Sequence, residues 1–304
     1  MKPEVESFHD AATATFSHMV YDRDGGHAAI VDPVMDYDAA TARTGFASAQ
    51  RLLDFAREHR LRVDWILETH AHADHLSAAA WLRAQTGARV AIGRGITAVQ
   101  SHFRQVFGLD DAFPVDGRQF DHLFADGDTF AVGALSGRVL ATPGHTADSL
   151  TYVIGDAAFV GDTVFAPDTG TARADFPGGD AATLYRSIRR LFELPDDTRV
   201  FLCHDYPPDG REPQAETSIG AQRARNVHLA GDASEDAFVR LRTGRDAGLA
   251  APKLILPALQ VNIRGGDLPP PDTDGVRYLR LPLDRFRTGH LLDEEGTGSQ
   301  HNLH

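Results

Sequence analysis

The sequence predicts an α/β protein in which two β-sheets pack together and helices cover them from outside. Three observations lead there. Short apolar runs of strand length recur with helical stretches between them, two portions of the chain share this make-up, and ligand-type residues fall where strands give way to loops.

Taken in order, Thr13 to Tyr21 and His27 to Pro33 are β-rich and flank Asp22-Arg23-Asp24-Gly25-Gly26, which predicts two antiparallel strands and a turn. From Gly45 to Arg60, Phe46, Leu52, Leu53, Phe55 and Ala56 fall on one helical face. Val63 to Leu67 is a buried-strand candidate that runs into Thr69-His70-Ala71-His72. Ala78 to Gln85 is expected to be helical and to stop at Gly87, and Val90 to Ile92 resumes a strand. Short strands follow at Thr129–Val132, Arg138–Ala141, Leu150–Ile154 and Ala158–Val160. Thr183 to Phe192 is amphipathic, and Val200 to Cys203 is another strand leading into His204. Helices are expected over Ala215–Leu229 and Ser234–Arg245, and a poorly ordered tail after about residue 287. The best candidate boundary is Tyr206 to Gly210, dividing a core of residues 1–210 from an extension, 211–304, that completes the same domain.

Composition narrows the function. Hydrophobic content of 42% and charged content of 24% are ordinary for a globular chain. A net charge of −13 argues against a broad surface for nucleic acid or anionic membrane, and no apolar run approaches membrane-spanning length. The opening Met1 to Ser7 lacks the basic start and apolar stretch of a secretory signal, and the lone Cys203 cannot form an internal disulfide. A cytoplasmic location is the expectation.

The chemistry concentrates in Thr69-His70-Ala71-His72-Ala73-Asp74-His75, four ligand-type side chains within six residues. His70 and His72, two apart on an extended segment, point to the same side. Histidine with carboxylate suits zinc, iron, manganese or nickel better than magnesium or calcium, which prefer oxygen alone. A single histidine here would more often be a turn or capping residue. The set is harder to dismiss, because His145 in Thr142-Pro143-Gly144-His145-Thr146, Asp162 in Gly161-Asp162-Thr163 and His204 in Cys203-His204-Asp205 each follow an apolar run as well. As a group they are expected to bind metal.

H-x-H-x-D-H, then P-G-H-T, G-D-T and C-H-D-Y resemble the metallo-β-lactamase superfamily in order and spacing, over roughly residues 10 to 210. The resemblance implies an αββα sandwich with metal at one edge between the sheets. Hydrolases and oxidoreductases share that fold, so the site must decide. One candidate is a glyoxalase II type, a hydrolase of glutathione thioesters with two Zn(II) ions shared by all seven ligands. The other is a persulfide dioxygenase, or sulfur dioxygenase, which resembles it but carries one Fe(II) on two histidines and an aspartate.

The tract after Asp162 favours the second. Arg173-Ala174-Asp175-Phe176 matches the R-x-D-F of the dioxygenases rather than the G-R-x-F-E usual in glyoxalase II. Its flanks, together with Asp32–Asp38, Gln222–Asn226 and Leu256-Pro257-Ala258-Leu259-Gln260-Val261-Asn262, resemble a bacterial β-lactamase-like hydrolase subgroup of that family. Relatives often have cysteine where this chain has Ala174, so any role of that thiol is absent here. The resemblance implies that His70, His145 and Asp162 bind iron, one per chain, and carry catalysis. His72, Asp74, His75 and His204 would then orient those ligands, or hold a second metal in the alternative. The implied substrates are glutathione persulfide and dioxygen, yielding sulfite and glutathione, with a homodimer left open. Arg223 and Tyr206 match glutathione-binding positions of the family; Arg173 is a weaker candidate, with an Asp175 ion pair as the plainer role. A metal-binding sensor without catalysis is disfavoured, because decayed sites usually lose ligands and none is missing.

Overall fold

Side chains along the central strands alternate between two covered faces, and that alternation sets the layers of the molecule. In the computed structural model, which describes residues 2–229 and 233–285, the first sheet has the order β1 (Glu4–Asp10), β2 (Thr15–Tyr21), β3 (His27–Val31), β6 (Arg62–Leu67), β8 (Arg89–Gly93) and β9 (His122–Phe124). The second runs β10 (Thr129–Val132), β11 (Leu135–Ala141), β12 (Leu150–Ile154), β13 (Ala157–Phe159), β14 (Arg199–Phe201) and β15 (Glu216–Ser218). A small third sheet joins β5 (Arg43–Gly45), β4 (Val34–Asp38) and β7 (Leu76–Ser77).

Val20, Val31, Trp65, Leu67 and Phe124 from the first sheet meet Val139, Tyr152, Ile154, Phe159 and Phe201 from the second. Alternate residues Met19, Ile30 and Ile66 face outward under α1 (Ala47–Glu58), α2 (Ala79–Thr86), α3 (Ile96–Val106) and α7 (Ile255–Asn262). On the far side Val153, Ala158 and Val200 pack under α4 (Ala181–Leu191), α5 (Ile219–Arg225) and α6 (Glu235–Asp246). The result is the expected αββα layering. A bulge keeps it in phase: Ala28 pairs with Val63 and Ala29 with Trp65, skipping Asp64, so Val63 faces the helices and Trp65 the sheet interface.

One expectation changes. The helix expected over Ala215–Leu229 is instead β15, then α5, then a turn. Thr217 pairs with Val200, and the Ser218 hydroxyl caps α5 by accepting from the Ala221 N–H, so edge pairing wins over helix propensity. Residues before the cap belong to the sheet. α3 and α7 also carry no sequence expectation. Pro257 falls in the first turn of α7, where its missing N–H costs nothing. The tail expected after residue 287 lies outside the described residues.

Candidate metal centre

Every ligand-type residue singled out in the sequence lies beyond the end of a strand, on loops that converge between the sheets. His70, His72, Asp74 and His75 follow β6; His145 follows β11, Asp162 follows β13 and His204 follows β14. Gly144 makes the His145 turn possible: its φ is +132°, and a Cβ there would lie 2.3 Å from the Leu184 backbone of α4.

The donor atoms of His70, His145 and Asp162 lie within 4.8 Å of one another, and so do those of His72, Asp74, His75 and His204. Asp162 stands between the groups, 3.6 Å from His145 Nε2 and 3.5 Å from His204 Nε2. His204 Nε2 is 3.0 Å from Asp74 Oδ2.

Hydrogen bonds fix which ring nitrogens are free. His145 Nδ1–H donates to the Arg173 carbonyl (2.7 Å), leaving Nε2 without a proton in the neutral ring. His204 Nδ1–H donates to the Ala14 carbonyl (3.2 Å), and His72 Nε2–H to Asp32 Oδ1 (2.9 Å). His70 Nδ1 is 3.1 Å from Thr69 Oγ1, whose own proton goes to Asp32 Oδ2 (2.8 Å). The opposite atoms His72 Nδ1, His75 Nε2, His204 Nε2, Asp74 Oδ2 and Asp162 Oδ1 are buried with no hydrogen-bond partner. Such groups are costly unless something occupies the space between them. A cation fits: neutral imidazole lone pairs and carboxylate oxygens converge, the donor set that transition metals favour.

Electrostatics agree with that donor set at His70, His72 and Asp74, whereas His204, with no cation beside it, pairs with Asp74 as an imidazolium. Burial lowers the pKa of His70 and His72, reinforced by neighbouring histidines, and keeps both rings in the neutral, ligating form. Burial also raises the Asp162 carboxyl, against the pull of His204 and His145. Burial opposes the Asp74 charge, yet His204 and His75 hold it well below the usual carboxylate range. For His204 burial opposes the charge as well, but Asp74 and Asp162 outweigh it and lift the ring to about 10.

Three further residues brace the loop, and sequence reasoning missed all three. Asp32 sits just before Pro33 with φ +48°, a left-handed conformation that aspartate tolerates better than most residues. Its carboxylate accepts from the Thr69 N–H, the Thr69 hydroxyl and His72. Asp148 accepts from the Ala71 N–H at 2.8 Å. Asn262, at the end of α7, donates to the His72 and His75 carbonyls and accepts from the Ser77 N–H, all at 2.8 Å. The signal for Asp32 was available, because it follows a β-rich run as the ligands do. For Asn262 only the tract Leu256–Asn262 stood out.

A cavity of about 740 Å³ opens onto Asp74, His145 and Asp162. Of the substrate candidates, Tyr206 and Arg173 line it and Arg223 does not. Tyr206 stacks on His204, with ring centroids 5.8 Å apart. Arg173 pairs with Asp175 at 2.5 Å and donates to the Ala250 carbonyl, so its guanidinium braces the loop as its plainer role anticipated. The Arg223 guanidinium donates to the Phe192 and Leu194 carbonyls and pairs with Asp196. Cys203 lies just past the end of β14, not within the expected strand, with its sulfur within 4.8 Å of the Asp162 and His204 donor atoms; it is buried, and burial pushes its thiol well up, which argues against a nucleophile.

No helix among the described residues is long and apolar enough to cross a membrane. The profile of the Metallo-beta-lactamase superfamily matches residues 12–204. The "Beta-lactamase hydrolase-like protein" of Agrobacterium fabrum is 52% identical over 93% of this chain, which spans only 65% of that relative's length. "Glyoxylase B2" of Dictyostelium discoideum is 44% identical over 94% of this chain and 99% of its own. "Persulfide dioxygenase ETHE1, mitochondrial" of Bos taurus is 28% identical over 85% and 87%. The crystal structure of ETHE1 from Myxococcus xanthus superposes with a TM-score of 0.68 and 31% identity, covering 87% of this chain and all of that one. With its αββα layers, converging donor loops and a profile match across most of its length, the chain belongs to the metallo-β-lactamase superfamily.

Proposed function

We propose that the chain is a persulfide dioxygenase that oxidises glutathione persulfide with dioxygen at one iron held by His70, His145 and Asp162. The observation that carries this reading is that two of those three residues open onto the cavity. His145 and Asp162 line the cavity with His70 buried, whereas in the other group only Asp74 lines it and His72, His75 and His204 are 0% exposed. A centre on three protein ligands, two of which face a cavity, keeps positions for reactants, as the two-histidine, one-carboxylate centres of iron oxygenases do. Similarity to the two ETHE1 proteins supports the same reading.

Iron bound there would supply the redox chemistry that brings dioxygen to a sulfur anion. The balanced reaction consumes glutathione persulfide, dioxygen and water, and releases glutathione, sulfite and two protons. The chain's own contribution is positional. The Arg173 carbonyl fixes the His145 tautomer, and the Phe176 ring meets His145 edge to face at 4.9 Å, so the R-x-D-F tract directly shapes one proposed ligand. Phe165, Phe176 and Tyr206 give the cavity a largely apolar wall that limits water around the reacting sulfur. Residues 211–285 complete the same domain as the preceding chain in this reading, since β15 extends the second sheet and Asn262 braces the ligand loop.

A second reading, a dinuclear hydrolase of glutathione thioesters, has its own support. His72, Asp74, His75 and His204 form a four-donor cluster rich in partnerless buried atoms, and a 44% identical relative is named Glyoxylase B2. One experiment separates the two. Iron-loaded protein is given glutathione persulfide in an oxygen-electrode cell and, separately, S-lactoylglutathione. Oxygen uptake with sulfite release, and no thioester cleavage, is expected; thioester cleavage without oxygen uptake would transfer the assignment to the hydrolase.

A further inference from the structure

With Arg223 engaged elsewhere, the anionic carrier of the proposed substrate needs other partners, and the cavity wall provides them. Among the described residues its only lining carboxylates are Asp74 and Asp162, which belong to the metal centre. Four cations also line it, two of them already engaged: Arg173 with Asp175, and Arg242 with Asp246 and the Thr171 carbonyl. Arg245, near the end of α6, and Lys253, on the segment that follows, are exposed and have no carboxylate at ion-pair distance among the described residues.

His228 adds a fixed neutral donor. The Thr171 N–H donates to His228 Nδ1 at 3.0 Å, and since a backbone N–H can only donate, the ring proton sits on Nε2. Burial, with Arg242 and Arg245 close by, holds the ring at about 4, so this tautomer persists through neutral pH. The packing is specific: Gly170 has φ +98°, and a Cβ there would lie 2.3 Å from His228 Nδ1. Nε2 has no protein partner among the described residues, although His228 lines the cavity.

We propose that Arg245, Lys253 and His228 form a carboxylate-binding subsite that selects anionic thiol carriers such as glutathione. This rests on the dioxygenase reading for its substrate class, but guanidinium, ammonium and imidazole N–H would hold any dicarboxylate thiol in the same way.

Because Arg245 and Lys253 are exposed, Arg245→Met and Lys253→Met should fold normally. Calorimetric titration of the metal-loaded protein with S-methylglutathione tests binding without turnover. Each substitution is expected to weaken the dissociation constant by about tenfold, as loss of a charge-assisted contact does. For the persulfide reaction KM should rise while kcat holds, the signature of uniform binding. His228→Phe should weaken binding similarly, and His228→Gln, which keeps an N–H donor, should restore part of it. Unchanged affinity in the double cation variant, or no binding to the wild type, overturns the subsite. Tight, cation-dependent binding without any oxygen uptake leaves the subsite standing and removes the dioxygenase reading instead.

Discussion

The two donor groups share one loop and one bridging carboxylate, yet they differ in what surrounds them. In the first group His145 and Asp162 line a cavity and His70 is buried, while in the second only Asp74 lines that cavity and His72, His75 and His204 are sealed within the protein. In the sealed group His72 is anchored on Asp32, and the backbone that carries His72 and His75 hangs from Asn262. In the open group His145 answers to the Arg173 carbonyl on a loop that is itself tied to α6, since Ala174 N–H donates to Asp246. The difference teaches that one stretch of ligands can serve two purposes. In the proposed reading the accessible donors meet substrate, and the enclosed ones stiffen the frame around them.

The sharpest way to break this contrast is Asp162→Ala, which removes the only carboxylate of the open triad. Iron binding and oxygen uptake should both disappear in metal analysis and electrode assays, while the metal-free fold persists by circular dichroism. His204→Gln probes the sealed group. Iron content should stay at one per chain and activity should fall roughly 10- to 100-fold, as for residues that only orient ligands; loss of half the bound metal would mean that His204 is a ligand. Asn262→Leu removes three buried hydrogen bonds and leaves two carbonyls and one N–H without partners. Denaturant unfolding of the metal-free protein should show a loss of about 3 kcal/mol.

The last effect is read in folding alone and needs no metal. Burial holds His18 at about 4, against the pull of the Leu202 carbonyl and Asp32. Because the unfolded chain takes up this proton more readily, the associated stability is complete above the unfolded value of about 6.5 and is lost as pH falls through 4. That loss amounts to about 3 kcal/mol, and His18→Phe should flatten the slope in unfolding measurements across this range.

Much of the frame was readable from periodicity and punctuation. β6 ends in the apolar run Trp65-Ile66-Leu67, β12 is apolar apart from Thr151, and α2 stops at Gly87, whose φ is +70°. The ligands were readable because each follows a strand, by three residues at Asp162 and His204 and by eight at His75. What stayed hidden depends on contacts between distant parts of the chain. Asn262 reaches residues nearly two hundred positions earlier, and nothing in its local sequence marks that reach. The Arg223 match marked an arginine on a helix but could not tell which way its guanidinium turns, and it turns to the carbonyls of Phe192 and Leu194. Nor does any motif surround His228, whose donor role follows from a single backbone N–H.

The most direct test of the open-triad assignment is anomalous diffraction at the iron edge, on crystals of protein purified without oxygen and active in oxygen uptake. One iron peak bounded by His70, His145 and Asp162 is expected. Two peaks of comparable height, the second enclosed by Asp74, His75 and His204, would contradict it.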